Sequence, residues 1–190
     1  MMECYSMPLS SAGARRPIHT RTITIDGYSR DDGLWEIEGN LLDVKAYDLR
    51  GLYRHHIPAG EPIHDIRARI VVSDDMTVQS AEAVIDYSPF PMCGNIASAF
   101  ADVVGLNLGT GFMKQLRHKF GGVHGCTHVC DLLGAMATTA FQTIYPVLRA
   151  ERGDRSGRPE LIDSCHAFAS DGEVVARQWP TYSTRAKEAG

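Results

Sequence analysis

Two prolines, Pro89 and Pro91, split this chain into two patterns of hydrophobicity. No other feature constrains its fold as strongly. Before them, apolar and polar residues alternate, as in strands with one buried face. After them, apolar residues recur every three or four positions, as in helices packed along one side. Proline donates no backbone N–H to a sheet ladder, so the pair marks where the sheet stops. Strands grouped ahead of helices predict an α+β fold, an antiparallel sheet meander with a helical layer on one face.

The strand half divides further. Residues 18 to 28 mix Ile, Thr and Arg in alternation, and Arg30-Asp31-Asp32-Gly33 reads as a turn. Leu34 to Lys45 is a second strand, with Glu36, Glu38 and Asn40 on one face and Trp35, Ile37 and Gly39 on the other. Leu49 to Glu61 reads as a loop. Ile63 to Val72 is a third strand, with Ile66, Ala68, Ile70 and Val72 aligned, and Met76 to Tyr87 is a fourth. A slip near Ser80 suggests a bulge. The helical half begins with 96–104 and 112–120. A long helix then runs from Thr127, read as its N-cap, to Ala150, with Pro146 expected to kink or end it. The domain reading is a disordered lead-in over 1–16, one domain over 17–150, a linker over 151–160, and a tail over 181–190. Residues 161–180 read as a hairpin about Ser170-Asp171-Gly172, or as a short helix, packed on the domain.

Composition narrows the function classes. The 190 residues carry 19 basic and 23 acidic side chains, a formal charge of -4, which argues against nucleic acid or an anionic membrane as partner. No apolar run approaches the ~20 residues of a membrane span. Five dispersed cysteines, an odd number, fit reduced cytoplasmic thiols better than a disulfide framework.

The segment Gly121-Gly122-Val123-His124-Gly125-Cys126-Thr127-His128 carries the strongest chemical signal. Three glycines let the backbone turn directly into an apolar helix, so Cys126, His128 and in reach His124 sit at a helix N-terminus. There, backbone N–H groups and the dipole favour a thiolate. Cys93 follows the fourth strand, and His64 and Asp65 open the third. Thiolates and imidazoles at element ends make a zinc set, or with a carboxylate an iron set. The expected metal ligands are therefore His64, Asp65, Cys93, Cys126 and His128. Packing of Cys93 in a core and hydration of His128 is the plainer alternative. The catalytic candidates are Cys126, His128 and Asp65, with Asp43 and Lys45 as acid/base groups on the rim of a small-molecule pocket. Without metal, Cys126 is a candidate nucleophile, with His128 or His64 as base and Asp65 or Asp131 orienting it. Arg30-Asp31-Asp32 with Trp35 and Glu38 reads first as a solvated hairpin face, with the polar rim of a substrate pocket as the alternative, His55-His56 as an exposed pair, and Cys165-His166 as packing or a late addition to the site.

The motifs Ile18-His19-Thr20-Arg21, Arg30 to Gly39, Asp43-Val44-Lys45, Pro62-Ile63-His64-Asp65, Cys93, Gly125-Cys126-Thr127-His128 and Phe141-Gln142 together resemble an uncharacterised bacterial family, domain of unknown function 2889. The resemblance spans about His19 to Trp179. More distantly, residues 62 to 142 resemble the core of NifU-type iron–sulfur scaffold proteins. That likeness implies a NifU-like/SufE-like core, with His64 or Asp65, Cys93, Cys126 and His128 at the ligand places. His64-Asp65 then stands where those scaffolds have a first cysteine.

Three functions follow as expectations. The first is a metal-dependent (zinc or iron) hydrolase or lyase acting on a small molecule. The second is a non-catalytic metal or iron–sulfur carrier, with a partner protein or a second copy as its counterpart. The third is a metal-free cysteine-nucleophile enzyme.

Overall fold

The computed structural model describes residues 9–109, 111–153 and 157–185. Parts of the expected lead-in, linker and tail lie outside these. The chain divides into two compact units, Met1–Ile144 and Tyr145–Gly190. The division falls inside the long helix, not at residue 150.

The first unit is built on four antiparallel strands in the order of the chain: β1 His19–Ser29, β2 Trp35–Lys45, β3 Pro62–Val72 and β4 Val78–Tyr87. The fold is α+β, as the switch of periodicity requires. Trp35, Ile37, Leu41, Ile66, Ala68, Ile70 and Val72 are buried along one face. The other face is a ladder of ion pairs. Arg69 reaches Glu38 and Glu82, Arg67 reaches Asp86, and Arg30 reaches Asp32 and Glu36. That is the solvated surface the alternation suggests; such exposed pairs contribute little each.

Three register shifts bend the ladder. One leaves Gln79 unpaired next to Ser80, where the sequence slips, and another leaves Asp86 unpaired. The third leaves Ile63 unpaired opposite Asp43 and Val44, immediately before His64.

Residues expected to start an α-helix at 96 form a 3-10 helix instead, Pro91–Val103. Ala97, Phe100 and Val103 recur every third residue, the period of the tighter helix, and Phe100 and Val103 are buried. The glycine-containing segment after it is laced to the start of β4 by Val78 N–H to Leu106 O and Leu108 N–H to Met76 O, with Leu106 and Leu108 buried.

Helix α1 spans Phe112–Phe120, with Phe112, Leu116 and Phe120 buried on one stripe. Helix α2 runs Thr127–Arg152. It continues through Pro146, contrary to an ending there. Proline removes only its own N–H bond to the preceding turn, and the turns on either side persist. Val129, Leu132, Leu133, Met136, Ala140 and Ile144 form its buried face. The helix lies tight on the sheet. A Cβ at Gly27 of β1 would come within 2.0 Å of Thr143 Oγ1.

The second unit has its own small core of Ile162, Val175 and Trp179, flanked by Leu161, Phe168 and Tyr182. Its helix α3, Glu173–Gln178, follows Gly172 directly, so Ser170-Asp171-Gly172 leads into a helix and not between two strands. Glu173 and Arg177 pair one turn apart along it.

A candidate metal centre at the end of the sheet

Inward positions of β2 read Trp35, Ile37, Gly39, Leu41 and then Asp43, a carboxylate where an apolar residue is due. Asp43 is only 1% exposed and is the one buried charged side chain among the described residues. A buried carboxylate must be paired or neutralised. Its partners come from the neighbouring strands in one row, since Arg21 of β1 and His64 of β3 are its register partners. Arg21 donates two hydrogen bonds, Nε to Oδ1 and Nη2 to Oδ2, both 2.8 Å. His64 Nδ1 lies 3.0 Å from Oδ2, and His19 Nε2 lies 3.2 Å from Oδ1.

The fourth side comes from α2. Its entry turn needs glycine at 125, where a Cβ would sit 2.1 Å from the Phe120 carbonyl oxygen. That turn sets Cys126, not Thr127, immediately ahead of the helix, and the Cys130 N–H bonds the Cys126 carbonyl. His128 then projects from the first turn onto the sheet. Its ring lies 3.8 Å from that of His64, tilted by 33°, and its Nε2 is 3.6 Å from Asp43 Oδ2. Arg21 Nη1 also binds Asp131 on the next turn, at 2.9 Å. One guanidinium thus ties β1, β2 and α2 together.

Electrostatics follow from this packing. Burial alone would raise the Asp43 carboxyl. The hydrogen bonds and charge of Arg21, with help from His64, outweigh it and hold the group at about 2. Burial and the adjacent His128 push His64 down, against the pull of Asp43, so its ring favours the neutral form. Burial raises the Cys126 thiol, but His128 and the backbone N–H groups of Val129 and His128 lower it further. Cys130, one turn on, is raised by burial and by the neighbouring Cys126 and Asp131.

Asp43, His64 and His128 each offer a ligand atom within 4.8 Å of the other two. Two donors 2.1 Å from a tetrahedral ion lie about 3.4 Å apart. The observed 3.0 Å and 3.6 Å bracket that spacing. The set is two imidazoles and a carboxylate, a combination that suits zinc or non-haem iron.

Of the ligands expected from the sequence, His64 and His128 meet here. Asp43, expected as an acid/base group, joins them. Cys126 Sγ lies 3.6 Å from His128 Nδ1, on the ring nitrogen away from Asp43. It therefore touches the set through the ring, not as a member. Asp65, next to His64 on the strand, accepts a bond from Asn40 Nδ2 at 2.8 Å on the opposite, charged face. Alternation sends the two side chains to opposite sides. Cys93 is half-buried in the 3-10 helix, outside the convergent set. Lys45 lies across from His19 at the end of the sheet. His55, His56, His118, His124 and Gln142 are exposed, and Cys165 and His166 are exposed in the second unit.

Arg21 and His19 were not among the candidate residues. The signal was present, since both occupy the inward parity of β1 beside Asp43. No helix of the described residues is long and apolar enough to cross a membrane. No curated protein and no solved structure matches the chain. Residues 19–142 match a family described as a protein of unknown function, DUF2889, and the chain belongs to that family.

Proposed function

We propose that the chain is a metal-dependent enzyme acting on a small molecule, with zinc or iron held by Asp43, His64 and His128. The observation that carries this reading is the convergence of Asp43, His64 and His128, with Asp43 Oδ2 3.0 Å from His64 Nδ1 and 3.6 Å from His128 Nε2. Two stacked, partly buried imidazoles repel each other when both are charged, and a shared cation relieves that repulsion by binding their neutral forms. Arg21 would keep Asp43 ionised and aligned as an outer partner, and Cys126 would hold the tautomer of His128 through Nδ1. Three protein ligands leave a position open for water or a carbonyl group, as a hydrolase or lyase needs. A NifU-like/SufE-like carrier would favour a closed four-ligand site, so the three-ligand set supports the enzyme over the carrier. Free thiols at Cys93, Cys126, Cys130 and Cys165 accord with a cytoplasmic site of action.

A second reading rests on the 3.6 Å contact of Cys126 Sγ with His128 Nδ1. In it no metal binds, Cys126 is the nucleophile, His128 the base and Asp43 the orienting carboxylate. Elemental analysis of protein purified anaerobically without a histidine tag separates the two. About one zinc or iron per chain, lost in Asp43→Asn and His128→Ala while Cys126→Ser retains it, is the expected result. Full metal content in His128→Ala would eliminate the ligand set. Absence of metal from the native protein would leave the thiol reading.

A further inference from the structure

Beyond the row of Arg21, Asp43 and His64, the next row toward the end of the sheet holds His19 and Lys45. Lys45 shares the inward parity of Asp43, two residues along β2. Its backbone is fixed, with the carbonyl taking the Gly60 N–H at 2.9 Å. The side chain is half-buried, yet its ammonium has no hydrogen-bond or ion-pair partner among the described residues. This contrasts with Arg30, Arg67 and Arg69, which all meet carboxylates on the other face. Asp43, the nearest carboxylate along the strand, pairs with Arg21, His19 and His64 and not with Lys45.

The charges point the same way. Arg21 pairs with both Asp43 and Asp131, and with Lys45 counted in, these four groups sum to zero. A divalent ion held by Asp43, His64 and His128 makes the site strongly positive. An anionic group bound there would neutralise the ion and give Lys45 the partner it lacks. From this placement we infer that the substrate carries a carboxylate or similar oxyanion, held between the metal and the Lys45 ammonium. Lys45 is then a specificity residue that receives charge rather than an acid or base. This rests on the metal reading above.

The test uses cobalt(II) in place of the native ion. The full-length protein is loaded with one equivalent, and its visible spectrum is followed while acetate and, separately, inorganic phosphate are titrated in. Native protein, Lys45→Met and Lys45→Arg are compared, with thermal unfolding as the check on folding. The expected result is equal cobalt uptake by all three and saturable spectral change in the native protein. Apparent affinity should fall about tenfold or more in Lys45→Met, the loss of one charge-assisted hydrogen bond, with substantial recovery in Lys45→Arg. Saturation by acetate with little response to phosphate would assign the carboxylate, and the reverse would assign the tetrahedral oxyanion. Cobalt uptake with identical anion affinity in native protein and Lys45→Met would overturn the role of Lys45 and leave the metal site standing. No cobalt uptake by the native protein would overturn the metal reading and this inference with it.

Discussion

Replacing Asp43 with Asn removes one charge from a carboxylate that meets His19, Arg21, His64 and His128, and changes almost no volume. The carboxyl is displaced from 3.8 to about 2 by its surroundings. At ~1.4 kcal/mol per pH unit, that displacement corresponds to about 2.5 kcal/mol of stability at neutral pH. Asn also turns amide hydrogens toward the donors of Arg21 or His64, which adds to the cost. Arg21 keeps Asp131 and is partly hydrated, which limits it. The expected loss at pH 7 is therefore about 2–3 kcal/mol, below the ~3–5 kcal/mol of a fully buried broken pair. The pH dependence has a definite sign. The folded value lies below the unfolded one, so the stabilisation is complete above about pH 5 and is lost as the pH falls through 3.8 toward 2. About half should remain at pH 3 by the same linkage relation. Urea unfolding of both proteins, with chelator present and at several pH values between 3 and 7, reads this directly. The gap between them should narrow steadily as the pH falls. A gap under about 0.5 kcal/mol at pH 7, or one that stays constant with pH, would refute the reasoning, since only a charge held by Arg21 and His64 produces both the size and the slope.

Gly27→Ala places a methyl 2.0 Å from Thr143 Oγ1, which already bonds the Thr139 carbonyl. Helix α2 must then lift, and thermal unfolding should report a loss of about 1–3 kcal/mol, relieved only in part in Gly27→Ala/Thr143→Ala, because the Cβ at 143 still lies 2.9 Å from the new methyl. A loss under about 0.5 kcal/mol in Gly27→Ala would mean that the helix does not pack there. Cys126 and Cys130 lie one turn apart, with thiols shifted in opposite directions. In metal-free protein at pH 7, peptide-resolved alkylation by iodoacetamide should therefore label Cys126 faster, with its rate rising at lower pH than for an ordinary thiol. Equal rates at the two positions would show that His128 and the helix N-terminus do not stabilise the thiolate.

The match between sequence and structure is uneven for physical reasons. Strand alternation depends on which side of a single sheet is wet, and that is written residue by residue. The buried run of β2 and the charged ladder opposite it were therefore readable, as was the buried stripe of α2. The form of residues 91–103 was harder, because spacings of three and of three or four overlap in a short apolar segment. The ligand choice between His64 and Asp65 turned on register. Parity with Ile66 favours His64, but the unpaired Ile63 lies directly before it, and a bulge can reverse parity. The place of Cys126 at the helix entry was legible, whereas the side of the His128 imidazole it meets was not.

What the sequence determined alone was local: four strands, a glycine turn into a long helix, and reactive groups at the ends of both. The tertiary structure decided which of those groups meet. Asp43 and Arg21 are 22 residues apart, and Arg21 and Asp131 are 110 apart. Their meeting follows from strand pairing and from the seating of α2 on the sheet, both set by burial of the apolar face at whose end these polar groups lie. Local pattern fixes the direction of each side chain, but only the packing of the whole layer fixes the distances between them, and the chemistry of the site depends on those distances.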